Sequence, residues 1–97
     1  MDRIPPIHPG EILRDEFLVP MAISQYRLAK AIHVTGMRIN QIVQCKRSLS
    51  VDTALRLSIY FKNSPQFWLG LQMDYDLAVA EDTLMDRLSN EVLPYAA

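Results

Sequence analysis

Cysteine is almost missing from this chain. Cys45 is the single example in 97 residues, so no internal disulfide can form and a reducing compartment is expected. No apolar run approaches the ~20 residues that a membrane-spanning helix needs. The opening stretch MDRIPPIHPG holds no continuous apolar region and does not read as a secretion signal. A cytoplasmic protein with no membrane partner is therefore expected. His8, His33 and Cys45 lack the spacing of metal ligands, and no glycine-rich phosphate loop is present. Lys46 and Arg47 beside Cys45 would favour its thiolate, but no base is evident near it in sequence. No metal, cofactor or catalytic residue is assigned, and the chain is not read as an enzyme. No segment alternates with period two, repeats, or falls to low complexity.

What the chain does have is apolar residues at helical spacing. At 49% apolar and 22% charged, it has the composition of one soluble globular domain rather than a disordered segment. Its charge is unevenly placed. Residues 1–23 carry Arg3 and Arg14 against four acids, and residues 63–97 carry Arg87 against six. Between them, residues 24–62 carry Arg27, Lys30, Arg38, Lys46, Arg47, Arg56 and Lys62 against Asp52 alone. A net charge of −1 thus hides a basic middle, suited to phosphate, flanked by acidic ends.

The organising stretch is SQYRLAKAIHVTGMRINQIVQCKR, from Ser24 to Arg47. Ser24 is a helix N-cap, and Leu28, Ala29 and Ile32 follow on one face. His33-Val34 makes a bend, and Thr35 caps a second helix in which Ile39, Ile42 and Val43 face inward. Gly36, Met37, Arg38 and Gln41 are left on the outer face. Two capped helices with a short turn describe a helix-turn-helix, whose second helix enters the DNA major groove; an ordinary helical hairpin with a solvated face is the plainer alternative.

Around this pair the sequence predicts further helices. Residues 1–8 form an extended arm broken by Pro5 and Pro6, and Pro9 opens a helix with Ile12, Leu13, Phe17 and Leu18 inward, stopped by Pro20. Ser50 caps a helix through residue 62. Ser64 and Pro65 start a last long helix to about Glu81, and residues 82–93 form one more short helix before Pro94. The expectation is an all-α fold of five helices with a short C-terminal helical extension. The division is an arm at 1–8, a DNA-binding domain at 9–80 and an acidic extension at 81–97.

With these elements in order, the chain resembles the Cro/phage-repressor class of DNA-binding domain, and more closely the HigA-like (VapI-like) antitoxins. The resemblance rests on His8-Pro9-Gly10-Glu11-Ile12-Leu13, Ser24-Gln25 with Leu28-Ala29, Lys46-Arg47 and Asp52-Thr53-Ala54-Leu55-Arg56-Leu57. Further on, Ser64-Pro65-Gln66-Phe67-Trp68-Leu69, Leu71-Gln72 and Tyr75-Asp76-Leu77 complete it. The resemblance implies a lambda-repressor-like fold and a homodimer on a palindromic operator in its own promoter. It also implies a small basic toxin partner that cleaves mRNA. The chain departs from the family pattern at His33 and Cys45, where glycine is usual and a positive φ is expected.

Carried over by position, Gln25 would bond a phosphate at the start of its helix, and Thr35 would cap the recognition helix and meet phosphate. Arg38 would pair with guanine and Gln41 with adenine, and Met37 would pack on a thymine methyl beside Gly36. Lys46 and Arg47 would clamp phosphates. Trp68, Leu71, Tyr75 and Leu77 are candidates for the dimer surface, with an internal core role as the alternative. The arm or the acidic tail would meet the toxin. A free-standing transcription regulator without a toxin, and a helical interaction module that no longer binds DNA, are the competing functions.

Overall fold

Local capping chemistry starts every helix. In the computed structural model, which describes residues 5–96, α1 spans Pro9–Ile12 and continues without a break as a wider, π-helical segment, Leu13–Leu18. α2 is Gln25–Ala31, α3 Gly36–Val43, α4 Val51–Phe61 and α5 Pro65–Glu91. No strand occurs among the described residues. The side-chain oxygens of Ser24, Thr35, Ser50 and Ser64 each accept from the amide three residues on, at 3.0, 3.1, 3.2 and 3.1 Å. Each satisfies one of the amides that a helix start leaves without a partner.

The helices close around one apolar centre. Leu13 and Leu18 from the first helix meet Leu28, Ala29 and Ile32 from the α2 region and Ile39, Ile42 and Val43 from α3. Leu49, Ala54, Leu57 and Trp68 complete it from the α4–α5 side. Ala29 is small where α2 crosses α3. The turns between elements use the left-handed conformation at Ala22, His33, Cys45 and Lys62, with φ of 54°, 57°, 62° and 58°. The positive φ expected at His33 and Cys45 is present, and none of the three glycines occupies such a position.

Two long-range anchors fix the remaining segments. The Leu49 amide donates to Gln72 Oε1 at 2.7 Å, and Gln72 Nε2 donates to Asp76 Oδ1 at 2.9 Å, so the α3–α4 loop is tied to α5. At the other end, His8 is buried and its Nδ1 accepts the Gly10 amide at 2.9 Å, capping α1. Its ring lies edge-on to Tyr75 of α5 at 4.9 Å.

Nδ1 must be unprotonated to act as that cap. Burial pushes the imidazole pKa down, against the upward pull of Glu11, Asp76 and the Arg47 backbone. The folded form therefore resists a proton that the unfolded chain accepts near pH 6.5. Stability is expected to be full above that pH and to decline as pH falls below it. Chemical denaturation from pH 7.5 to 5.5 checks this: His8→Gln should flatten the decline, and an unchanged slope would exclude His8 as its source.

One expectation is corrected here. Residues 82–93 do not form a separate short helix, because α5 runs unbroken from Pro65 to Glu91. Glu81-Asp82-Thr83 contains no glycine or proline, so nothing interrupts the backbone ladder there. Near Ala80 the helix leaves the globule and continues, its side chains beyond that point largely exposed. Of the arm, residues 1–4 lie outside the described residues, and Pro5 to Ile7 carry no regular structure.

Candidate nucleic-acid interface

α3 presents its opening turns to solvent while its other face is sealed. Ile39 and Ile42 are fully buried and Val43 nearly so, which fixes the helix's rotation about its axis. Thr35, Gly36 and Met37 are then exposed, Met37 at 69%, and Arg38 and Gln41 are half-buried along the same edge. A Cβ on Gly36 would meet nothing within 4 Å, so packing within the protomer does not require glycine there.

The polar side chains around α3 are linked to one another. Gln25, at the start of α2, accepts from Asn40 Nδ2 through its Oε1 at 3.1 Å. Its own amide group remains available as a donor. Asn40 had no place in the sequence reading; its link to Gln25 comes from the crossing of α2 and α3, which brings together residues fifteen apart. Gln41 Oε1 accepts from Arg47 NH1 at 3.2 Å, so Arg47 lies against α3. Lys46 is exposed beside it.

Arg38 is also engaged. Its NH1 donates to Asp52 Oδ2 at 3.1 Å, and the same oxygen accepts from Arg56 Nε at 2.8 Å. Arg56 NH1 reaches further, to the carbonyl oxygens of Ile32 at 2.8 Å and His33 at 3.3 Å in the helix-turn-helix corner. The hydrogen bond from Arg56 is the chief cause holding the Asp52 carboxyl below its ordinary range, helped by Arg38, so it stays charged at neutral pH. Lys30 and His33 join Thr35 and Arg38 around an open depression at the same corner. Lys30 thus stands with Arg38 as a second cation at this corner.

Two further expectations change. Trp68 is completely buried among Phe17, Phe61 and Phe67 and donates through Nε1 to Asn63 Oδ1 at 2.9 Å. It is a core residue and has no surface to offer a second copy. Leu71 and Tyr75 line a groove with Ile12 and Ala78 under the arm, and Leu77 is 52% exposed. The Cys45 thiol is not activated: burial and the nearby Glu11 carboxylate push its pKa up, and Arg14 opposes them only partly. The tight αL turn points its sulfur toward Glu11, 4.0 Å away, rather than toward Lys46 and Arg47. Among the described residues, no group of three His, Cys, Asp or Glu side chains could hold a metal ion, and no helix is long and apolar enough to cross a membrane.

Five helices with a capped, outward-facing third helix under positive charge define a helix-turn-helix protein of the phage-repressor class. The chain is 54% identical over 80 residues to virulence-associated protein I of Dichelobacter nodosus, across 82% of this chain and 74% of that one. It is 35% identical over 72 residues to antitoxin HigA-1 of Vibrio cholerae, across 74% of this chain and 68% of that one. Among solved structures, the Pseudomonas aeruginosa antitoxin HigA with the higBA promoter superposes with a TM-score of 0.90 at 46% identity, over 94% of this chain and 99% of that one. Antitoxin GraA in complex with its operator gives a TM-score of 0.92 at 41% identity, over 100% and 98%. No family model matches the sequence. The chain belongs to the HigA-like antitoxins.

Proposed function

We propose that this protein is the antitoxin of a toxin–antitoxin module and the repressor of its own promoter. It binds a palindromic operator as a two-fold dimer and neutralises a HigB-like, mRNA-cleaving toxin in the cytoplasm. The observation that carries this is the α3 edge. Gly36, Met37, Arg38 and Gln41 stand on the outside of a sealed helical body, with Gln25, Thr35, Lys46 and Arg47 around them. Solved relatives of the same fold are described with promoter or operator DNA. A domain of this size covers only a modest DNA surface, so tight binding calls for two copies with recognition helices about 34 Å apart. Leu71, Tyr75 and Leu77 are the side chains proposed to contribute to the pairing of copies.

A gel shift with the protein's own promoter region tests the DNA-binding half. Arg38→Ala is expected to weaken operator binding by about 1–3 kcal/mol and to relax the preference at one base pair. Lys46→Ala should weaken all sequences alike and lower the slope of log affinity against log salt by roughly one phosphate contact. Uniform loss in both variants would show that Arg38 reads no base. Co-purification with the product of the adjacent gene tests the antitoxin half. A free-standing regulator is the second reading, favoured by 33% identity to an HTH-type transcriptional regulator, YbaQ, of Escherichia coli. It requires that no neighbouring product co-purify.

A further inference from the structure

Asp52 is the single acid in the basic segment 24–62, and its carboxylate lies 3.1 Å from Arg38, on the edge proposed to face DNA. A carboxylate there repels phosphate, and Ser50 already caps α4. Its position in the first turn of α4 accounts for some of its presence through the helix dipole. It does not account for the way its neighbours converge on it. One oxygen, Oδ2, accepts from both Arg38 and Arg56, at 3.1 and 2.8 Å. Arg56 is in turn held by the carbonyls of Ile32 and His33, on the turn that joins α2 to α3. Asp52 is thereby fixed from behind to the helix-turn-helix corner, and Arg38 is fixed to Asp52.

This arrangement restricts what Arg38 can do. A guanidinium carries five donors in a rigid plane. With NH1 committed to Asp52, its plane is set, and Nε and NH2 remain as a pair along one edge. That edge has the spacing for two parallel hydrogen bonds to guanine O6 and N7. A solvent-exposed arginine without such a tether keeps its rotamer freedom and can turn to the nearest phosphate instead.

We propose that Asp52 is a specificity-determining positioning residue: it commits Arg38 to guanine and withholds it from the backbone. This rests on the operator-binding function proposed above. Removing the carboxylate has two opposed effects. Affinity for unrelated duplex DNA rises, because a repelling charge is gone and Arg38 is free to reach phosphate. Discrimination at the base pair read by Arg38 falls.

The test is a set of binding titrations with the full chain. The duplexes are the native operator, variants with each contacted G·C pair replaced by A·T, and an unrelated sequence. Asp52→Ala and the isosteric Asp52→Asn should each lower the native-to-variant affinity ratio about tenfold at one position and leave the other positions unchanged. In an Arg38→Ala background the same substitutions should change that ratio no further. Thermal unfolding checks that Asp52→Asn retains the fold. A change of equal size on every duplex, or an effect that persists without Arg38, would overturn the proposal and leave Asp52 as a local charge only. A wild-type chain that shows no preference for its operator would overturn the DNA-binding function itself, and this proposal with it.

Discussion

Trp68→Ala is expected to remove about 3–5 kcal/mol of folding stability, the range for truncating a buried large aromatic. The indole is fully enclosed, with ring centroids 4.9 Å from Phe17, 6.0 Å from Phe61 and 5.0 Å from Phe67. Phe17 belongs to the first helix, Phe61 to the end of α4 and Phe67 to α5, so one side chain joins three elements. Its Nε1 donor also holds Asn63 at the α4–α5 turn, where Lys62 is in the left-handed conformation. A domain of this length has a total stability of roughly 5–15 kcal/mol, so the loss consumes a large part of it. The midpoint of thermal unfolding, followed by far-ultraviolet circular dichroism, should fall by about 15 °C or more. Trp68→Phe, which keeps most of the ring contacts and gives up the Asn63 hydrogen bond, should cost clearly less. A Trp68→Ala protein that unfolds within about 1 kcal/mol of wild type would contradict the enclosed position described for the indole.

Gly10→Ala is the second substitution with a large expected effect, although it adds only one methyl. A Cβ at Gly10 would lie 1.8 Å from the Ile42 carbonyl oxygen and 2.7 Å from its carbonyl carbon. Both atoms are backbone of α3, so relief requires the first helix and the recognition helix to move apart. The expected cost is about 3 kcal/mol, at the upper end of overpacking. Operator affinity should drop with it, because displacing α3 moves Arg38 and Gln41 together. Gly70→Ala is the control: it also lies in a helix, but its Cβ would meet nothing within 4 Å. Denaturation midpoints of the two variants decide the matter, and equal midpoints would exclude the close approach of the two helices.

Much of the architecture could be read from the chain because local chemistry determines it. Ser24, Thr35, Ser50 and Ser64 each precede an apolar stripe, and each caps the helix expected of it. The inward set Ile39, Ile42 and Val43 follows from 3.6-residue periodicity alone, and with it the outward set on α3. What escaped depends on neighbours distant in sequence. Asn40 meets Gln25, Arg47 meets Gln41 and Asp52 meets Arg38 only because helices cross. Periodicity could place Trp68 on a stripe of α5 but could not say whether that stripe faced the core or a second copy. The left-handed residues Ala22 and Lys62 were missed because neither is a residue type that favours that region. The role of Gly10 was equally hidden, since it reflects the passage of another backbone rather than any turn of its own.

The continuity of α5 has a consequence for how this protein comes apart. Its first half is held by Trp68 and Gln72, both buried, whereas beyond Ala80 its side chains are largely exposed. That outer stretch is shorter than the length at which a lone helix persists in water, and its supports are local ones such as the Arg87–Glu91 ion pair at 3.6 Å. In an isolated protomer a single rod therefore belongs to two cooperative units. Its amide hydrogens near Trp68 exchange only when the whole globule opens, while those past Glu81 are released by fraying from the helix's C-terminal end.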